Sequence, residues 1–141
     1  MRSLDDQVTR LARSPLFADA PPPRVKLAAL SGEMLTFRDG EALVVEGDEG
    51  DEVFVLLRGE AEVSFRRGGP SFRIGEGGMV GEIAALTGAP RTATVTAQGI
   101  VEALRLRRET FLKLLRDMPE VSLALSRTLA RRLSDANAAL R

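Results

Sequence analysis

Between Met34 and Leu106 the apolar residues alternate as they do in strands, and on either side of that stretch they recur at helical spacing. This switch and return of period limits the chain more than any other feature. The middle holds the short segments "MLTF", "ALVV", "VFVLL", "AEVSF", "FRI", "ATVTA" and "IVEALRL", rich in β-branched and aromatic residues. Between them lie "RDGE", "GDEGDE", "RGE" and "RRGGP", where glycine supplies a positive φ or a tight reversal. Strands at this spacing predict an all-β sandwich or barrel. One long connection, residues 75 to 92, separates "FRI" from "ATVTA".

The flanks read as helices. In "LDDQVTRLAR", Leu4, Val8 and Leu11 share a face, Ser3 is placed to cap, and Asp5 and Asp6 sit in the first turn where the helix dipole favours acids. A second short helix is predicted from about Pro23 to Leu30, stopped by "SGE". Beyond Leu106, Phe111, Leu114 and Leu115 share a helical face. Pro119 and Glu120 then open a last helix with a stripe through Val121, Leu125, Leu129, Leu133, Ala136 and Leu140, long enough to line a partner as well as a core.

The expected organisation is a single domain over residues 1–141, with no internal repeat or linker: an N-terminal helical segment (1–31), a β-roll (32–106) and C-terminal helices (107–141). The chain has no histidine and no cysteine. That removes the commonest general base, thiolate metal sites and disulfides, so metal, haem and triad chemistry are not expected. No apolar run approaches the ~20 residues of a membrane span, and "MRSLDDQVTR" lacks the apolar core of a signal peptide, so a cytoplasmic location is expected. Arg105, Arg107, Arg108, Lys113, Arg116, Arg127, Arg131, Arg132 and Arg141 make the chain end basic. They alternate with leucines, which fits a solvated helix face better than a nucleic-acid surface. The excess of arginine, with only Lys26 and Lys113 as lysines, fits a GC-rich bacterial genome.

The chemistry concentrates in "GEGGMVGEIAALTGAPRTATV". Glycines let backbone approach a ligand, and the first amides of the helical turn "EIAAL" favour an anion. Arg91 offers a fork of donors to that anion, with Pro90 fixing the turn that aims it. Glu82 suits hydroxyls, as acidic residues do for ribose. A phosphate beside a sugar hydroxyl describes a nucleotide. With one arginine committed, and neither a lysine nor a carboxylate pair nearby for magnesium, a single negative charge is favoured over a triphosphate. The alternative is a mutual Glu82–Arg91 salt bridge that only closes the loop.

This stretch closely resembles the phosphate-binding cassette of cyclic nucleotide-binding domains: a glycine-rich turn, Phe-Gly-Glu, an apolar helical turn, then Pro-Arg-Ser/Thr-Ala. "SPLF" resembles the family's N-terminal entry, "FRDGEALVVEGDEGDEVFVLLRGEAEVSF" its first strands, and "RRETFLKLLRDMPEVSLALSRTLARRL" its two C-terminal helices. The fold so implied is mainly β, a β jelly-roll (double-stranded β-helix) with N-terminal helices and two C-terminal helices, its cassette at 75–93. The resemblance puts Arg91 on the cyclic phosphate, Glu82 and Gly81 on the ribose 2′-hydroxyl, and the amides of Ala84 and Ala93 around the phosphate. Ile83 is counted with these ligand-binding residues. Thr92 would touch phosphate or a guanine, which does not decide the base. Ile74 and Val80 are candidate pocket wall, and Leu129, Arg131, Arg132 and Leu133 a candidate lid. Val80 and Gly78 depart from the family's usual phenylalanine and acid, so an altered wall is expected.

The implied function is a regulatory sensor without catalysis or cofactor, whose ligand is cAMP more than cGMP and whose C-terminal helices move on binding. Two alternatives stand beside it: the sensor half of a Crp/Fnr-type transcription regulator lacking its DNA-binding part, and a degenerate domain serving as a dimerisation module. A homodimer through the last helix is the expected protein contact. Nucleic-acid and membrane contact are not expected of this chain alone, although a parent protein could be membrane-bound. A cupin-like enzyme would need metal ligands that the composition lacks.

Overall fold

The computed structural model describes residues 3–139, so Leu140 and Arg141 of the terminal stripe and basic end lie outside the described residues. Helix α1 (Leu4–Arg13) is capped as its sequence predicts: the Ser3 hydroxyl accepts from the Asp6 amide at 3.1 Å, acids fill the first turn, and Arg10 and Arg13 occupy the last. Ser3→Ala is expected to cost about 1 kcal/mol of stability, measurable by urea unfolding. Helix α2 (Pro22–Leu30) starts one residue earlier than predicted and buries Val25, Ala28 and Ala29.

The roll follows as β1 (Glu33–Phe37), β2 (Ala42–Val44), β3 (Glu52–Ser64), β4 (Phe72–Ile74) and β5 (Met79–Val80). After α3 (Glu82–Thr87) and β6 (Thr94–Arg107), the chain ends in α4 (Arg108–Asp117) and α5 (Pro119–Ala139). The sheet order is β1-β6-β3-β4, with β2 beside β6 and β5 beside β3.

Two expected pairs of strands are single strands. "VFVLL" and "AEVSF" run together in β3, and "ATVTA" and "IVEALRL" in β6. Gly59 (φ +87°) and Gly99 (φ +74°), expected at reversals, instead bend strands whose pairing continues, with register shifts at Leu56/Arg58 and Arg58/Glu60. The bend lets each long strand serve two layers. The first half of β3 pairs with β5 and the second half with β4. The first half of β6 pairs with β2 and the second half with β1. A mainly antiparallel jelly-roll with flanking helices results. Strand β5, within the expected long connection, had no separate signal.

Pleating divides the core in two. Val53, Val55 and Leu57 of β3, with Leu104 and Leu106 of β6, face the helices and pack with Leu11, Phe111, Leu114, Val121 and Leu125. Phe54 and Leu56, with Val101 and Ala103, face the interior of the roll beside Val63, Val80 and Val95. This explains why "VFVLL" reads as a continuous apolar run: all five side chains are buried. The α5 stripe is in the core at Val121 and Leu125 and partly so at Leu129, then leaves it, with Leu133 64% exposed. Among the described residues no helix is long and apolar enough to cross a membrane.

Candidate functional site

Pairing of Phe54 with Val80 delivers the chain to Gly81 at the mouth of the roll. Gly81 caps α3 with φ +90°, and a Cβ there would lie 2.5 Å from Arg91 Nη1 and 2.6 Å from the Glu52 carbonyl oxygen. Only glycine fits between that guanidinium and that carbonyl. The return from α3 is tied to the acidic loop after β2: the Arg91 amide donates to the Asp48 carbonyl and the Gly47 amide to the Arg91 carbonyl, both at 2.9 Å.

Arg91 is 7% exposed. Its Nη1 donates to the Glu52 carbonyl at 2.9 Å and to the Gly81 carbonyl at 3.5 Å. On the other edge, a Cβ at Gly50 would meet Nε at 2.5 Å and Nη2 at 2.6 Å, so two glycines make room for one guanidinium. Burial pulls its pKa below the ordinary arginine value, opposed by the charges of Glu52, Asp51 and Glu82. Arginine stays protonated under such a shift. A desolvated cation held by carbonyl dipoles is therefore in place.

Glu82, the first residue of α3, is 3% exposed. Its ion pair is made with Arg132 Nη1 of α5, not with Arg91, which corrects the loop-closing salt bridge weighed as an alternative. The Arg132 side chain remains 44% exposed, so the pair joins a buried carboxylate to a cation at the rim. Behind the cassette, Arg108 Nε donates to the Ala85 carbonyl at 2.7 Å, and Ala85 itself packs in the helical core.

These groups face a cavity of about 540 Å³. Gly81, Glu82, Ile83 and Ala84 line it from α3, and Arg91, Thr92 and Ala93 from the return. Ile74 and Val80 line its wall, with valine at 80 where the family's usual residue is the larger phenylalanine. Of the four lid candidates only Arg132 reaches it. Leu129 packs against the helical core, while Arg131 and Leu133 are exposed and do not line the cavity. Successive helical residues point about 100° apart, so neighbours of Arg132 look elsewhere, whereas Asp135, three residues on, shares its face and does line the cavity. Val44, Val63, Phe65, Phe72 and Val95 also contribute and were missed. Alternation in "VSF" and "FRI" was the available signal. Among the described residues no cluster of three or more acids, histidines or cysteines is placed to hold a metal.

Comparison with known proteins agrees with this geometry. The family model described as "Cyclic nucleotide-binding domain" matches residues 34–118. A CRP-like cAMP-activated global transcriptional regulator of Mycobacterium tuberculosis is 29% identical over 133 residues, covering 90% of this chain and 58% of the relative. The Thermus thermophilus catabolite activator protein superposes with a TM-score of 0.81 at 31% identity, over 90% of this chain and 62% of that one. The N-terminal domain of a transcriptional regulator from Streptomyces coelicolor gives 0.70 at 32% identity, covering 94% and 95% of the two chains. The chain thus spans less than two thirds of the curated regulator and of the full-length activator.

Proposed function

The chain belongs to the cyclic nucleotide-binding domain family, and we propose that it is a non-catalytic sensor that binds cAMP in preference to cGMP and reports occupancy through α5. One observation carries the reading: a buried arginine whose hydrogen bonds are to carbonyls sits in a cavity with a buried carboxylate. An incoming monoanionic phosphate would give Arg91 the counter-charge that its surroundings supply only at a distance. Glu82 would accept from the ribose 2′-hydroxyl through Oε2, since Arg132 holds Oε1. The preference for cAMP is supported by the relative described as cAMP-activated.

Arg132 makes the coupling physical. A ribose at Glu82 meets the side chain that already joins α5 to the cassette, and Ala85 and Arg108 join the same cassette to the helical core. Ligand can shift α5 only if it binds one arrangement of that contact better than another. We place the chain as the sensing part of a CRP-like transcription regulator, a role supported by the Streptomyces domain and the Mycobacterium relative. A second copy docking along the exposed second half of α5 is consistent with Leu133.

Calorimetric titration of the ligand-free protein with cAMP and cGMP tests the reading, with tighter binding of cAMP expected. Amide exchange in α5 should slow on saturation, and unchanged exchange with full binding would remove the coupling while keeping the site. Heat with neither nucleotide would favour the degenerate dimerisation module.

A further inference from the structure

Phe72 is 55% exposed although it lines the cavity. Such a ring at the end of a short strand normally seeks cover. Its surroundings are organised. Phe72 lies opposite Val63 in the β3–β4 register, and the two-residue pleat puts Val63 and Phe65 of one arm, and Phe72 and Ile74 of the other, on the cavity side. The Phe65 and Phe72 rings lie 6.3 Å apart, tilted by 40°, and the Arg67 guanidinium sits 4.7 Å from the centroid of Phe65. A cation on one ring and that ring on the next form a flat stack whose last member faces the cavity.

Resting on the nucleotide reading above, we propose that Phe72, backed by Phe65 and Arg67, is the platform on which the purine base stacks. The sheet sets the spacing. Val63 pairs with Val95 on one side and Phe72 on the other, so Phe72 stands two strand spacings, ~10 Å, from β6 just beyond Thr92 and Ala93. That is the reach from a cyclic phosphate held near Arg91 across the sugar to a base. The hairpin wall of Val63, Phe65, Phe72 and Ile74 carries no side-chain hydrogen-bonding group, so it reads the face of the base and not its edge. Adenine and guanine gain alike from it, and discrimination between them comes from other residues.

The test uses a property of the chain: it has no tryptophan and no tyrosine. Phe72→Trp introduces a single emitter on the platform. Phe72→Ala is expected to weaken cAMP and cGMP alike, by roughly 5- to 150-fold, the range for one base–aromatic stack. Phe72→Trp is expected to bind at least as tightly as wild type, its emission quenched saturably with the calorimetric midpoint. Wild-type affinity in Phe72→Ala, a loss confined to one of the two nucleotides, or tryptophan emission that ignores a bound nucleotide would each overturn the platform while leaving the sensor intact. Absence of nucleotide binding by the wild-type chain would overturn both. Should Phe72→Ala fail to fold, the Phe72→Trp titration decides alone.

Discussion

Arg91→Ala is expected to weaken cAMP binding by roughly thirtyfold to several thousandfold, the equivalent of about 2–5 kcal/mol for truncating one partner of a buried, hydrogen-bonded charge pair. The effect should be large because Arg91 is already desolvated and fixed: its backbone is clamped by Gly47 and Asp48, and its Nη1 by Glu52 and Gly81. Little reorganisation remains to be done when phosphate arrives. The same substitution strips the Glu52 carbonyl of its arginine donor, at about 1–3 kcal/mol if that oxygen stays buried, so the melting temperature should fall while the protein still folds. Arg91→Lys keeps the charge and loses the fork, and should fall between. Calorimetry beside thermal unfolding separates the two consequences. Undiminished affinity in a folded Arg91→Ala protein would make the arginine a strut between loops and not a ligand group.

The largest expected loss of stability comes from a glycine far from that arginine. Gly59→Ala should cost about 3 kcal/mol or more, lowering the melting temperature by roughly 10 °C. Gly59 has φ +87°, and its Cβ would stand 2.3 Å from the Ile100 carbonyl oxygen and 3.2 Å from Val101 Cα, both main-chain atoms of the paired strand. A flexible side chain could step aside, but a strand in register cannot. Gly99→Ala is the matched control, since φ there is +74° but nothing lies within 4 Å of the added carbon. It should show only the left-handed penalty, about 1–2 kcal/mol. Equal losses in the two variants would mean that the torsion angle, not the contact, matters at the bend.

The same glycines mark where reading the sequence stops short. A glycine with positive φ is required both by a reversal and by a bend within a continuing strand, and "RGE" carries no local mark to separate them. The difference lies in the partner: Glu60 still finds Gln98 across the bend, a pairing set by residues remote in sequence. Helices were more legible because their determinants are local, as with the Ser3 cap, the leading prolines of α2, and Phe111 at helical spacing from Leu114. The cassette was legible for a similar reason, since Gly81 through Ala93 is one contiguous stretch that folds onto one wall. The rest of the cavity is assembled from afar. Glu82 meets Arg132 from a helix 50 residues on, and Phe72 joins Phe65 only through the β3–β4 register. Leu133 entered the expected lid because a leucine stripe says which residues share a face but not where the helix leaves the core.

The strands β3 and β6 face two apolar cores, one on each side of the pleat. Sliding either by one residue would send Val53 and Val55 into the roll and Phe54 and Leu56 out to the helices, exchanging the contents of both cores at once. A sheet with one wet face can tolerate some slippage, but this one is indexed from both sides like a ratchet with two pawls. Whatever a ligand moves must therefore be hung on the sheet and not part of it: the cassette helix, the β4 hairpin arm and the helices behind. The stiffness of that middle layer makes a small displacement at the cavity visible outside it.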